Sequence, residues 1–362
     1  MDEKKISFNK EKSFLLGILL AFLILYFSII KLDKKNFEEF ALIQDATSEF
    51  GKVDNLNIHC GHLSDIDKCL NDYQKFGKNL PVVLWLGNSQ LHVINQFSKG
   101  EETASKKLYR SLIDQGHYLF AFSQPNSNLQ EQLLITAYLF QRLPIKNIIL
   151  PVVFDDMREI KIRSDVETVL YDESSKKFLF DNTKNGIDLY YKYVSQVDSQ
   201  NVNSDRSTSL QENSEKLLNY NLKNVSSLWS SRDGLRGDVF VTLYQIRNFV
   251  FQIKPSSIRK MIPDSYTKNF QALIDLVNIS KTKDANIFIY NVPIRSDLKI
   301  PYKLSEYNKF KYDLEKLSKD LDIKYQNFEN IIPNSLWGKK NSTTINKEDE
   351  IDFMHFRAEG HD

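Results

Sequence analysis

The stretch Pro81 to Phe97, PVVLWLGNSQLHVINQF, joins a run of strand formers to a helical pattern through Gly87-Asn88-Ser89. Val82, Val83, Leu84, Trp85 and Leu86 form a continuous apolar run, and Leu91, Ile94 and Phe97 then recur at helical spacing. The reading is strand, tight turn, helix. Ser89 stands at the carboxyl end of a buried strand and the amino end of a helix, where unpaired N–H groups and the helix dipole favour negative charge. Two roles are open to it: a nucleophile on a sharp turn or, with Asn88, an ordinary helix cap.

Outward from this turn, apolar runs and amphipathic helices alternate. Strands are predicted over Val82–Leu86, Tyr118–Phe122 and Asn147–Phe154, with helices from Ser89, over Ala104–Gln115 and over Leu129–Arg142. The pattern resumes with a strand over Asn286–Tyr290, a helix over Leu304–Leu321 and a short strand over Lys324–Phe328. Such alternation predicts an α/β fold, a doubly wound, mostly parallel sheet covered on both faces. Its halves are residues 80–160 and 284–362, and 161–283 is read as an insertion. Within that insertion Val194 to Lys216 has few apolar residues and reads as a mobile loop, while Val239–Ile253 and Ser265–Ile279 read as helices. Ligands of such sheets bind beyond the carboxyl ends of the strands. Three of the predicted ends are polar: Gly87-Asn88-Ser89, the run from Ser123 to Asn128, and Asp155 to Arg158.

The far end of the chain carries a partner for Ser89. In Asp352-Phe353-Met354-His355 the carboxylate and the imidazole lie three apart, so a turn or helix start puts them on one face. A carboxylate there fixes the tautomer, and the other ring nitrogen is left to take a proton from a serine. This motif follows the last predicted strand, whereas Ser89 follows the first. His92, three residues after Ser89, shares its helix face and either lines the cleft or packs inward. His117 has no assigned partner, and His361 is read as solvated.

Lys and Arg number 48 against 47 for Asp and Glu, a balance that gives no global field for nucleic acid. Ser13 to Ile30, SFLLGILLAFLILYFSII, carries no charge and is flanked by lysines on both sides. At ~1.5 Å per residue it covers about 27 Å, near the ~30 Å hydrocarbon core of a bilayer. It runs into Lys31-Leu32-Asp33 without a small-residue cleavage site, which predicts an uncleaved single-pass anchor. Residues 1–12 are then a short inner tail, and 31–79 a stalk and entry segment, helical over Asn36–Gly51, leading to an extracytoplasmic domain. A disulfide between Cys60 and Cys69 is the expected pairing in an oxidising compartment, with free thiols as the alternative. His59 and His62 beside Cys60 match no common zinc spacing, and no metal or other cofactor is expected.

Gly87-Asn88-Ser89 after the first strand and Asp352-x-x-His355 near the carboxyl end together resemble the SGNH, or GDSL, hydrolases. Gly360, five residues after the histidine, extends the likeness, which covers both halves of the domain but not the anchor or the insertion. The resemblance implies Ser89 as nucleophile, His355 as base and Asp352 as the acid that orients it. With the anchor, stalk and insertion, the nearest subgroup is the membrane-anchored DltD-like and alginate-acetylation-like proteins. That implies a serine O-acyltransferase or esterase acting on acyl groups of a cell-wall or exported polysaccharide, with a membrane-bound O-acyltransferase as partner. The family adds a Gly after the second strand and an Asn after the third to its oxyanion hole, and this sequence departs at both. Asn126 and Asn128 are the candidate amide donors and Arg158 a candidate charge, with Asn88 and His92 close by; Asp155 and Asp156 cannot donate while ionised. The family also closes with a helix longer than the seven residues that follow His355 here. These departures keep open a second reading, an inactive scaffold that binds a glycan or docks the acyltransferase.

Overall fold

The computed structural model describes residues 47–48, 51–193, 242–254, 256–340 and 349–362. The apolar runs become one parallel sheet of six strands: β1 (His59–Cys60), β2 (Val82–Gly87), β3 (Tyr118–Ser123), β4 (Ile145–Val152), β5 (Asn286–Asn291) and β6 (Lys324–Asn327). Their order is β6-β5-β4-β2-β3-β1, and every neighbouring pair is parallel. The chain leaves β2 for β3 on one side and then returns to β4 on the other. The reversal makes the carboxyl end of β2 the switch point, where such sheets open a crevice. Ser89 lies immediately beyond it.

Parallel strands are buried on both faces, which is why these runs are continuous rather than alternating. Leu84, Leu86, Leu119, Phe120, Ile148 and Leu150 are fully buried. The helices are α1 (Ile66–Asp72), α2 (Ser89–His92), α3 (Ala104–Asp114), α4 (Leu129–Phe140), α5 (Glu173–Asn182), α6 (Lys184–Tyr193), α7 (Pro263–Thr282) and α8 (Leu304–Asp320), besides a further helix at 242–250. Helix α4 is buried almost all round, because α5 and α7 pack against it in turn. Helix α7 buries Ala272, Leu273, Leu276 and Val277 and serves as the crossover between β4 and β5. The last part of the expected insertion is thus core. Helix α8 turns Tyr307, Phe310, Leu314 and Leu317 inward, at i, i+3, i+7 and i+10, and Phe154 packs among Tyr302, Tyr307 and Phe310.

Two expectations change near the amino end. The helix after Ser89 is a single turn, since the β-branched Val93 and Ile94 leave it to pair antiparallel with Thr47–Ser48. That pairing also makes Thr47–Ser48 a strand where the stalk helix was expected. Cys60 and Cys69 form a disulfide tying β1 to α1. The predicted anchor at 13–30 and the whole of the loop at 194–216 lie outside the described residues, and among the described residues no helix is long and apolar enough to cross a membrane.

A two-stranded ribbon, β7 (Trp337–Lys340) with β8 (Glu350–Phe356), crosses the mouth of the sheet. Its register is irregular: Lys339 faces Ile351 while Trp337 faces Phe356. Residues 352–355 therefore bulge out opposite Gly338, and bulges of this kind re-aim side chains.

Candidate active site

That bulge carries the acid and the imidazole. A regular strand would send residues three apart to opposite faces, but here the backbone N–H groups of Met354 and His355 both donate to Asp352 Oδ1, at 2.9 and 3.1 Å. The local turn this creates brings His355 Nδ1 to 2.8 Å from Asp352 Oδ2. On the other side of the ring, Nε2 lies 2.9 Å from Ser89 Oγ. The expected turn or helix start is thus a bulged strand with the same effect.

The charges fix the direction of these bonds. Burial pushes the Asp352 carboxyl up, but the charge and hydrogen bond of His355, the Lys340 charge and the Met354 N–H outweigh it and hold the pKa at about 2. An ionised carboxylate only accepts, so Nδ1 carries the proton and Nε2 is left to accept the Ser89 O–H. Ser89 and His355 are half-buried, while Asp352 is buried.

Two side chains that no sequence pattern pointed to hold the bulge against the Ser89 turn. Gln90 Nε2 donates to the carbonyls of Pro293 and Met354, at 2.9 and 2.8 Å. Asn95 Nδ2 donates to Asp352 Oδ2 at 3.0 Å, and its backbone N–H donates to Phe356 O at 2.9 Å. Gly338 makes room for Asn95: a Cβ there would lie 2.0 Å from Asn95 Cγ. Gly87 likewise lets α2 fold back on the strand end, since a Cβ would meet Leu91 at 2.9 Å. Gln90 and Asn95 were legible only as polar residues in an apolar-spaced helix, a signal too common to single them out.

Most of the remaining candidates have side chains engaged with other partners. Asn88 caps α2 through Gln90 N and donates its amide to Asp156 Oδ2 at 3.1 Å. Asn128 caps α4, accepting from Gln130 N and Glu131 N, and donates to Lys161 O at 2.9 Å. Each amide thus has one of its two N–H groups engaged away from Ser89. Asn126 is exposed, in the left-handed conformation at φ 51°. Arg158 pairs with Asp155 and donates to the Lys260 carbonyl. Asp155 is further engaged by Arg259 and by Tyr302 Oη.

His92 is buried rather than cleft-lining. Its Nδ1 lies 2.7 Å from Ser123 Oγ, and His59 Nε2 lies 2.7 Å from the same oxygen. His59 Nδ1 meets Ser105 Oγ at 3.1 Å. Burial lowers the His92 pKa well below the ordinary histidine value, aided by neighbouring histidine charge; burial and Lys106 lower His59 to about 3. Both rings are neutral at pH 7. His361 is also buried rather than solvated, with Nε2 3.2 Å from Val93 O and its ring against Phe356.

Asp156 is buried. Desolvation, with Asp155 and Glu131 adding to it, raises its pKa well above the usual carboxylate range despite the Asn88 amide. A carboxyl that keeps its proton has an O–H to donate. It lines a cavity of ≈ 1330 Å³ beyond the ends of β3 and β4, together with Asn126, Asp155, Arg158 and Lys340. Asn88, the residue before Ser89, reaches the wall of that cavity through its hydrogen bond to Asp156. Among the described residues no group of three or more His, Cys, Asp or Glu is placed to hold a metal ion. Compared with known proteins, the chain matches no family model and no curated relative.

Proposed function

We propose that the chain is a serine acyl-transfer enzyme of SGNH type. One observation carries the reading: the continuous bond path from Asp352 through His355 to Ser89 Oγ, assembled from residues 266 apart in sequence. In the proposed reaction Ser89 Oγ attacks an ester carbonyl as His355 Nε2 takes its proton. Asp352 stabilises the imidazolium, the leaving alkoxide takes the proton back from Nε2, and an acyl-serine remains. A sugar hydroxyl or water then attacks it, with His355 again serving as base. The Ser89 N–H at the start of α2 has no partner within its own helix and is one oxyanion donor for the tetrahedral intermediate.

The substrate proposed is an acyl ester of a cell-envelope or exported polysaccharide. The domain lies outside the cytoplasm, anchored by 13–30 and working beside a membrane-bound O-acyltransferase. The anchor sequence and the disulfide support this location. A serine-directed phosphonate should label Ser89 and be abolished by Ser89→Ala. An unlabelled wild type that still binds polysaccharide would favour the scaffold reading, for which the commitment of Asn88 and Asn128 to capping is the supporting observation.

A further inference from the structure

Among the described residues, large apolar side chains stand exposed together on the helix at 242–250 and the turn after it. Leu243, Ile246 and Val250 recur at i, i+3 and i+7, and Leu243, Val250 and Phe251 are 55, 63 and 70 % exposed. Ile253 N–H reaches back to Asn248 O at 2.8 Å, with Gln252 in the left-handed conformation at φ 52°. This closes the helix and sets Ile253 beside the same stripe. Ile258 and Ile262 extend the exposed surface. The cost of leaving so many large apolar side chains in water marks an interaction surface.

Its charge identifies the partner. Between Asp238 and Asp264 the sequence holds no acidic residue but carries Arg247, Lys254, Arg259 and Lys260. Arg259 is engaged by Asp155, which leaves Arg247, Lys254 and Lys260 along the rim of the stripe, all of them exposed. A second copy of the same surface would oppose like charges. Apolar side chains flanked by cations suit an anionic bilayer surface, where the apolar face enters the acyl boundary and the cations meet the headgroups.

We propose that the 242–262 surface docks this domain onto an anionic lipid leaflet. The proposal rests on the membrane-anchored reading of residues 13–30. Because Tyr244, Arg247 and Lys254 also line the cavity next to Asp156, docking turns that cavity toward the headgroup layer. Substrate then reaches the triad from the membrane side.

The test uses the full chain reconstituted in vesicles of phosphatidylcholine, with and without phosphatidylglycerol. Phe251→Trp is compared with Phe76→Trp, a comparably exposed site just before β2 at the amino end of the strand, using brominated lipid as quencher. Docking predicts several-fold stronger quenching of the Phe251→Trp signal than of Phe76→Trp when phosphatidylglycerol is present. The difference should fall in phosphatidylcholine alone and in Arg247→Glu/Lys254→Glu/Lys260→Glu. Equal quenching at the two sites overturns the proposal, as does shielding of Phe251→Trp from aqueous iodide in lipid-free detergent. Release of the chain by alkaline carbonate counts against the anchor alone. Docking is then scored by vesicle binding itself: dependence on phosphatidylglycerol supports it, and no binding overturns it.

Discussion

Two serines of this fold, Ser89 and Ser123, are hydrogen-bonded to histidine rings at similar lengths in opposite surroundings. Ser89 meets His355 at 2.9 Å; Ser123 meets His92 and His59 at 2.7 Å each. At the first, the ring has an ionised carboxylate on its far nitrogen and a half-buried face. At the second, the His59 ring has a hydroxyl on each nitrogen and the cluster is buried. The bond alone therefore confers nothing. A base must gain a proton without losing its environment, and the buried His59, with its pKa near 3, cannot do so at neutral pH. The inner cluster is scaffold beneath the strand ends, and the outer one has what proton transfer requires.

The sharpest way to break this contrast is to delete each serine oxygen. Ser89→Ala should lower kcat for an activated ester by roughly 10⁴- to 10⁶-fold while the thermal midpoint stays near wild type. Ser123→Ala should leave kcat within about tenfold but cost ~1–3 kcal/mol by stripping buried rings of a partner. The opposite pattern would make Ser123 the nucleophile. Asp352→Asn should cost ~10⁴-fold in kcat with little change in KM, because an amide can stabilise the wrong tautomer of His355 and cannot balance its charge.

The outer cluster was legible because its parts fall at predictable ends of predictable strands. Val82–Leu86 could only be a buried strand, and Gly87-Asn88-Ser89 could only end it, so Ser89 was placed before any contact was known. Asp352 and His355 were paired by their spacing, by their position after the last predicted strand and by the resemblance to the SGNH motif. Their backbone was misread because a bulge opposite Gly338 depends on a register between β7 and β8 that periodicity does not encode. The inner cluster was invisible for a related reason. His59, Ser105, Ser123 and His92 come from four separate elements, and nothing local distinguishes a buried histidine from an exposed one. Asn88 and Asn128 illustrate the same ambiguity: an asparagine after a strand reads alike as oxyanion donor or helix cap, and only the hydrogen-bond partners decide.

The supports of the outer cluster give a smaller effect. Gly338→Ala forces Asn95 away from Asp352, and a shift of the order of 1 Å in the relay should lower kcat by roughly 10²-fold. Asn95→Ala should lower it less, since the carboxylate keeps both backbone N–H donors. The inner cluster is tested through acid stability instead. His59, His92 and His361 have folded pKa values depressed by burial, so the unfolded chain binds protons that the folded chain does not. Their contribution is fully present above about pH 6.5 and is lost as pH falls toward 4, by up to ~1.4 kcal/mol per pH unit per histidine. Denaturant midpoints should be level from about pH 7.5 to about 6.5 and fall steadily from there to about pH 4.5, more shallowly in His59→Gln. Asp352, held at about 2, stays ionised throughout that window.

The smallest expected effect bears on the place where the two regions meet. Asp156 accepts the Asn88 amide at 3.1 Å next to Ser89, and burial keeps its proton on to well above the usual carboxylate range. A group whose folded pKa is raised contributes stability below its unfolded value and loses it as pH rises through the folded one. Asp156→Asn keeps an oxygen for Asn88 and an N–H in place of the carboxyl O–H, but has no proton to lose. Its kcat near neutral pH should stay within a few-fold of wild type, and its stability relative to wild type should increase as pH rises. Asp156→Ala, which abandons the Asn88 amide, should be the poorer enzyme at every pH. A stability difference between wild type and Asp156→Asn that stays flat with pH would mean that Asp156 is an ordinary ionised carboxylate. A large loss of kcat in Asp156→Asn would make the negative charge itself part of the outer cluster, and the contrast between one charged relay and its neutral surroundings would then have to be redrawn to include the cavity wall.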